Sequence, residues 1–245
     1  MTHPLIERLG IQSWCFRKLK TAPEVIAALK ECGVDRLEIC GVHFDVRGKY
    51  DDVLKTYRNG GIVLSSCGVQ HFGSDEAECR ASFEFAVAAK IPVISAHIDL
   101  EALDLLENLC VEYGKKLAHH NHGRKHKMGS LAAIDELLSR SSDNIGLCLD
   151  TAWMLDSGED PVAVARKYSS RLYGMHLKDF VFDRAGKPED VIVGTGNLDL
   201  PAMVKLLKEI KYKGYLTIEY EADENHPVPA LKRCVEEVKQ AIEQN

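Results

Sequence analysis

Ile145-Gly146-Leu147-Cys148-Leu149-Asp150-Thr151 is the stretch that decides the reading of this chain. A short apolar run bounded by polar residues fits a strand buried on both faces of a parallel sheet. The acid directly behind the run, Asp150, needs a partner if it is buried, because an unpaired carboxylate out of water is costly. The same pattern repeats along the chain. Comparable runs lie at residues 9–14, 36–39, 62–69, 92–98, 116–120, 172–177 and 215–219.

Between the runs, amphipathic stretches carry helix start and stop signals. Thr21-Ala22-Pro23-Glu24 is a capping box ahead of Val25-Ile26-Ala27-Ala28-Leu29. Asp160-Pro161 combines an N-cap with proline at the first helical position. Gly33, Gly60 and Gly114 fall where helices stop. Further helices are expected at 51–59, 75–89, 101–113, 130–140, 161–168, 200–210 and 228–243. Eight strands each followed by a helix predict an α/β protein, a closed (β/α)8 TIM barrel formed by residues 1–245 as a single domain. A doubly wound open sheet is the competing architecture, but no GxGxxG follows the first strand. The longest irregular stretch, about 178–199, is expected to overhang the C-terminal face of the barrel, where long loops tend to be functional.

The length, 245 residues, suits one such barrel. A composition 45% hydrophobic and 28% charged is that of an ordinary globular protein. The net charge of −6 argues against a general nucleic-acid binder, which usually presents a basic face. No apolar run is long enough to span a membrane, and no secretory signal pattern is seen. Eight cysteines without a CxxC pair read as buried, reduced thiols of a cytoplasmic protein.

In a barrel the chemistry sits where strands end. The fifth strand ends in His119-His120-Asn121-His122, the sixth in Asp150-Thr151, the seventh in His176-Leu177-Lys178-Asp179 and the eighth in Glu219-Tyr220-Glu221. Four consecutive strands thus each present a potential metal ligand. Alternation along the strand puts His120 and His122 on the inner face if Ala118 is inside, and His119 and Asn121 toward the helices. Glu219 and Glu221 share a face. A lone histidine or acid at a strand end is usually a cap or a solvated loop residue, so the weight rests on the joint pattern. His120 or His122, Asp150, His176, and Glu219 or Glu221 are the candidate ligands, Asp150 being the strongest member. Imidazoles mixed with carboxylates suit Mn, Fe, Co, Ni or Zn better than Ca. Trp14, His43, His71 and His97, at or after the first four strands, are candidates to bind a polyhydroxylated ligand. Gly194-Thr195-Gly196-Asn197 could cradle an anion through backbone amides, although such stretches are more often simple turns. There is no P-loop and no nucleophile-elbow pattern.

The sequence resembles the xylose isomerase-like barrel superfamily, which groups sugar isomerases and epimerases, inosose dehydratase and class IV-type apurinic endonucleases. The carriers are Leu37-Glu38-Ile39, His120-Asn121-His122, Leu149-Asp150-Thr151, His176-Leu177-Lys178-Asp179, Gly194-Thr195-Gly196 and Gly214-Tyr215-Leu216-Thr217-Ile218-Glu219. They run over most of the chain, from Leu9 to Ile242. In sugar epimerases of this kind Glu, Asp, His and Glu from strands five to eight hold the metal. Asp150, His176 and Glu219 match the last three, and His120 stands where the first Glu would be. Lys125-His126 occupies the neighbourhood of one catalytic glutamate of the epimerases, and Trp153 replaces a histidine found after the strand-six acid. The His-Asn-His and His-Leu-Lys-Asp pattern is closer to the dehydratase and lyase branch.

The resemblance implies a divalent metal (Mn, Co or Zn) and a small sugar or polyol substrate. His122 and Lys178 are the expected proton carriers, through an enediolate. Isomerisation or epimerisation is the leading expectation, with a lyase or dehydratase acting on a 3-keto-sugar or inosose as the alternative. A DNA-repair hydrolase using His71 and His97 as extra ligands, and a non-catalytic sugar-binding barrel, are the remaining alternatives. Barrels of this kind often pair as homodimers, and the sequence shows no decisive interface stripe.

Overall fold

The computed structural model describes residues 3–245. Eight parallel strands close into a barrel: β1 (Leu9–Gln12), β2 (Arg36–Ile39), β3 (Val63–Phe72), β4 (Val93–Ile98), β5 (Lys116–His120), β6 (Ile145–Asp150), β7 (Leu172–Leu177) and β10 (Tyr215–Ile218). The order around the barrel is β1-β10-β7-β6-β5-β4-β3-β2. The open-sheet alternative is thereby excluded. Helices α1 (Ala22–Glu31), α2 (Asp51–Asn59), α3 (Glu76–Ala88), α4 (Leu103–Tyr113), α5 (Leu131–Ser139), α7 (Pro161–Lys167), α8 (Leu200–Glu209) and α9 (Val228–Gln244) lie in the connections and after the last strand.

The start and stop signals work as their chemistry predicts. The Glu24 carboxylate accepts from the Thr21 amide at 2.9 Å, completing the capping box of α1. The Asp160 side chain caps α7 through Val162 N–H. Gly114 closes α4 in the left-handed region at φ 61°, where a Cβ would be strained. The main core lies between strands and helices, and inside the barrel Ala118, Cys148 and Tyr215 pack as a separate small cluster. Gly174 is required there: a Cβ on it would stand 2.1 Å from the Tyr215 ring. All eight cysteines are buried and free. Among the described residues, no helix is long and apolar enough to cross a membrane.

Two features depart from the expectation. Residues 178–199 are not irregular throughout, because β8 (Asp179–Phe182) and β9 (Pro188–Val191) pair there as an antiparallel hairpin. A short helix, α6 (Thr151–Asp156), also begins directly after Asp150. Its first turn is capped by the Asp150 side chain, whose Oδ1 accepts from Trp153 N–H at 2.9 Å. The hairpin stem is held by an internal anion site. Asp179 accepts from the backbone N–H groups of Gly194, Gly196, Asn197 and Leu198 at 2.8–3.0 Å. The glycine-rich turn that reads as an anion cradle is therefore filled by a carboxylate of the chain itself.

Candidate metal centre

Strand register brings the ligand candidates together. Asp150 on β6 is the register partner of His176 on β7, which in turn faces Thr217 on β10. Glu219 follows one turn of the pleat later, its N–H bonded to Leu177 C=O at 3.1 Å. His120 ends β5. One ligand atom from each of His120, Asp150, His176 and Glu219 lies within 4.8 Å of the other three. His120 takes the strand-five place in this group, while His122 stands beside it with ring centroids 5.1 Å apart. The inner-face parity expected for His120 and His122 holds. His119 and Asn121 are buried against neighbouring strands: Asn121 ties down the backbone of Asp150 through both its amide atoms.

The polar atoms form a tight buried cluster that could hold a metal. His176 Nε2 lies 2.7 Å from Glu38 Oε2 on β2, so its proton sits on that side. Its Nδ1 then turns toward Glu219 Oε2 at 2.8 Å and His120 Nε2 at 3.1 Å. Asp150 Oδ2 is 3.5 Å from His120 Nε2 and has no hydrogen-bond partner among the described residues. Asp150 and His176 are fully buried, and Glu219 is 9% exposed. Lone pairs of nitrogen and carboxylate oxygen that face one another in a buried space repel unless a cation lies between them. Here a proton or a metal must supply that charge. Burial works against a charge on His176, but Cys148, Glu38 and Glu219 hold its pKa well above the ordinary imidazole range. Burial likewise opposes a charge on Glu219, yet Lys178 and His176 hold its carboxyl well below the usual range. The donor set fits a transition-metal dication, and the Glu38–His176 pair is the carboxylate–histidine arrangement that orients a ligating imidazole.

Above this group a cavity of about 430 Å³ is lined by Gln12, Trp14, Cys40, His120, His122 and Trp153, together with Glu219 and Glu221. Trp14 donates its indole N–H to Glu221 Oε2 at 2.8 Å. Glu221 also pairs with the buried Lys178 ammonium. For Lys178, burial alone would lower the pKa, but Glu219, Asp150, Asp190 and Glu221 hold it above the ordinary lysine value, so it is a fixed cation. His122 is the reverse case: burial, then His120, His126 and His97, push its pKa down to about 3, so it is neutral with a free lone pair.

The other rim candidates are dispersed. His43 is tied through Nε2 to Leu19 C=O at 3.1 Å and does not line this cavity. His71 is paired with Asp99 at 2.8 Å, and its ring stacks 5.6 Å from that of His97. His97 groups with His122 and His126 beside the cavity. Glu38 is legible as a buried hydrogen-bonded group, but not as the partner of His176. An acid between Leu37 and Ile39 in a strand was the available signal.

Residues 99–242 match the model of the family described as xylose isomerase-like TIM barrel, and the chain belongs to that family. It is similar to the rhizopine catabolism protein MocC of Rhizobium meliloti, with 32% identity over 149 residues covering 53% of this chain and 44% of that one. It is 25% identical to an inosose dehydratase of Geobacillus kaustophilus (strain HTA426) over 244 residues, covering 90% of this chain and 79% of the relative. The chain thus spans about half the length of several curated relatives it matches. Among solved structures, the IOLI protein with a bound zinc atom superposes with a TM-score of 0.78 at 17% identity, covering 97% of this chain and 98% of that one. At that identity the likeness shows the fold alone.

Proposed function

We propose that the chain is a divalent-metal-dependent enzyme that removes a proton next to the carbonyl of a small keto-sugar or keto-inositol, with isomerisation or epimerisation as the outcome. The observation that carries this reading is the convergence of His120, Asp150, His176 and Glu219, with Asp150 Oδ2 unpartnered and His176 backed by Glu38. A metal held by these four residues would supply Lewis-acid polarisation of a carbonyl and an adjacent hydroxyl. His122, on the cavity wall beside His120, would take the proton from the carbon next to that carbonyl. Lys178, held as a cation against Glu221 on the cavity wall, would add positive potential where negative charge develops on the substrate oxygen. Trp14 and Trp153 form apolar walls that shield the reacting carbon from water.

Dehydration is the second reading, and a specific observation favours it. The relatives of matching sequence include inosose dehydratases, at 32% identity for one of Clostridium perfringens. In the chain's own geometry a β-hydroxyl could depart from the same enolate by taking up the proton that His122 has removed. Both outcomes share the first step.

The experiment is elemental analysis of the purified protein, together with deuterium exchange from D2O into a panel of keto-sugars and inososes. Bound transition metal with metal-dependent exchange at the carbon beside the carbonyl supports the proposal. The product, an isomer or an unsaturated ketone, then chooses between the two outcomes. Absence of exchange after reconstitution with Mn, Co and Zn overturns it.

A further inference from the structure

A second cavity of about 470 Å³ opens beside the first, and His122 and Trp153 line both. Its remaining wall comes from the loop after β5, with Gly123, Arg124, Lys125 and His126, and from the tip of the β8–β9 hairpin, Ala185 to Pro188. This annex is basic in a chain whose net charge is −6. Arg124, Lys125 and Lys187 line it against one carboxylate, Asp156. Asp156 is committed: its Oδ2 accepts from Arg124 N–H at 2.9 Å, and its Oδ1 lies 3.6 Å from the Arg124 guanidinium. Lys125 and Lys187 make no ion pair among the described residues, whereas Lys127, just outside the annex, is paired with Asp99 at 2.7 Å. His126 adds a donor. Its Nδ1 accepts from Met128 N–H at 3.1 Å, which leaves the proton of the neutral ring on Nε2.

We propose that this annex binds an anionic group, a phosphate or a carboxylate, at the end of the substrate remote from the reacting carbonyl. The inference rests on the reading of the first cavity as the reaction site, since it makes the annex a continuation of that site past His122 and Trp153. It names the substrate class: a keto-sugar or polyol ketone that carries a terminal negative charge, in place of a neutral monosaccharide. Lys125 from one wall and Lys187 from the other, neither in an ion pair among the described residues, line one cavity with Arg124, whose guanidinium is already held by Asp156 and the Gly186 carbonyl; the repulsion between these cations falls when an anion enters. A phosphate or carboxylate can accept from Arg124, Lys125, Lys187 and His126 together. A neutral sugar would fill the same volume and leave Lys125 and Lys187 uncompensated.

The test is a fluorescence titration of the full chain, whose two tryptophans, Trp14 and Trp153, both line the first cavity while Trp153 also borders the annex. The titrants are D-glucose 6-phosphate, D-gluconate, inorganic phosphate and D-glucose, with the wild type, Asp150→Ala, Lys125→Ala/Lys187→Ala, and the surface control Lys55→Ala/Lys205→Ala. The expected result is saturable binding of a charged ligand and none of D-glucose. The annex double variant should weaken it by about tenfold or more, as loss of charge partners does, and the control should not. Binding of the phosphate ester or of the gluconate says which anion is preferred, and either supports the proposal. Retention of binding by Asp150→Ala separates the annex from the metal centre, so failure of the enzymatic reading would leave this result standing. No charged ligand binding, or equal weakening by both double variants, overturns it.

Discussion

Replacing Glu38 tests whether the buried cluster is a metal centre or only a knot of hydrogen bonds. Glu38 does not line the cavity above the cluster. It acts through His176, whose Nε2 lies 2.7 Å from its Oε2, both side chains being fully buried. Glu38→Gln keeps shape and an accepting oxygen but removes the charge. Glu38→Ala removes the orienting contact as well. Partners of this kind typically hold about 10- to 100-fold in metal affinity, which is about 1.4 to 2.8 kcal/mol at roughly 1.4 kcal/mol per decade. The smaller loss is expected for Gln, because the imidazole stays oriented, and the larger for Ala, because it does not. The assay is competition for Zn against a chromophoric chelator at neutral pH, with circular dichroism to confirm that each variant is folded. Wild-type affinity in both folded variants would refute the argument, since it would mean that His176 does not need orienting or is not a ligand.

Other outcomes follow from the same geometry. Asp150→Ala and Glu219→Ala should abolish metal retention by elemental analysis while leaving the barrel folded. Asp150→Ala should also lower stability by about 1 kcal/mol through the lost cap of α6, and Asp150→Asn, which keeps the cap, should not. Asp179→Asn should destabilise by about 1.5–3 kcal/mol, the scale of hydrogen bonds to a charged group, read by urea denaturation. Asp190 supplies a pH test on the metal-free protein. Burial pushes its pKa up to about 7 from an ordinary 3.8, partly offset by Lys178. The folded state therefore binds a proton that the unfolded state has released between those values, and stability falls as pH rises through that window. Asp190→Asn should flatten that fall, and an unchanged pH profile of the melting temperature would contradict it.

Much of the barrel was legible because its signals are local. Each strand is an apolar run, and Thr21 with Glu24 or Asp160 with Pro161 marks a helix start within a few residues. Asp150, His176 and Glu219 stood out because each interrupts or ends such a run. Glu38 was equally visible as an acid inside Leu37-Glu38-Ile39, but its partner is 138 residues away on a strand across the barrel. Nothing local says that an imidazole waits there. The β8–β9 hairpin escaped because its strands are four residues each and sit in a stretch rich in loop residues. The amides of Gly194 to Asn197 were readable as an anion cradle, but not the anion: Asp179 reaches them, and Leu198 N–H besides, only once the hairpin folds back. His43 looked like a rim residue until the Leu19 carbonyl claimed its ring.

The cradle around Asp179 has a consequence for how this barrel can diversify. The excursion that leaves β7 is pinned at its base by four amides gripping one carboxylate, and its arms are zipped by β8 and β9. What lies beyond the zipper, Asp183 to Lys187, meets the loop after β5 where the Arg124 guanidinium donates to the Gly186 carbonyl. Lengthening a surface loop is cheap, about 0.6 kcal/mol per doubling, so the tip behaves as an interchangeable cassette on a fixed mount. Tips of different length and charge can be exchanged without renegotiating the fold, and each would redraw the outer wall of the annex that the present tip helps to form.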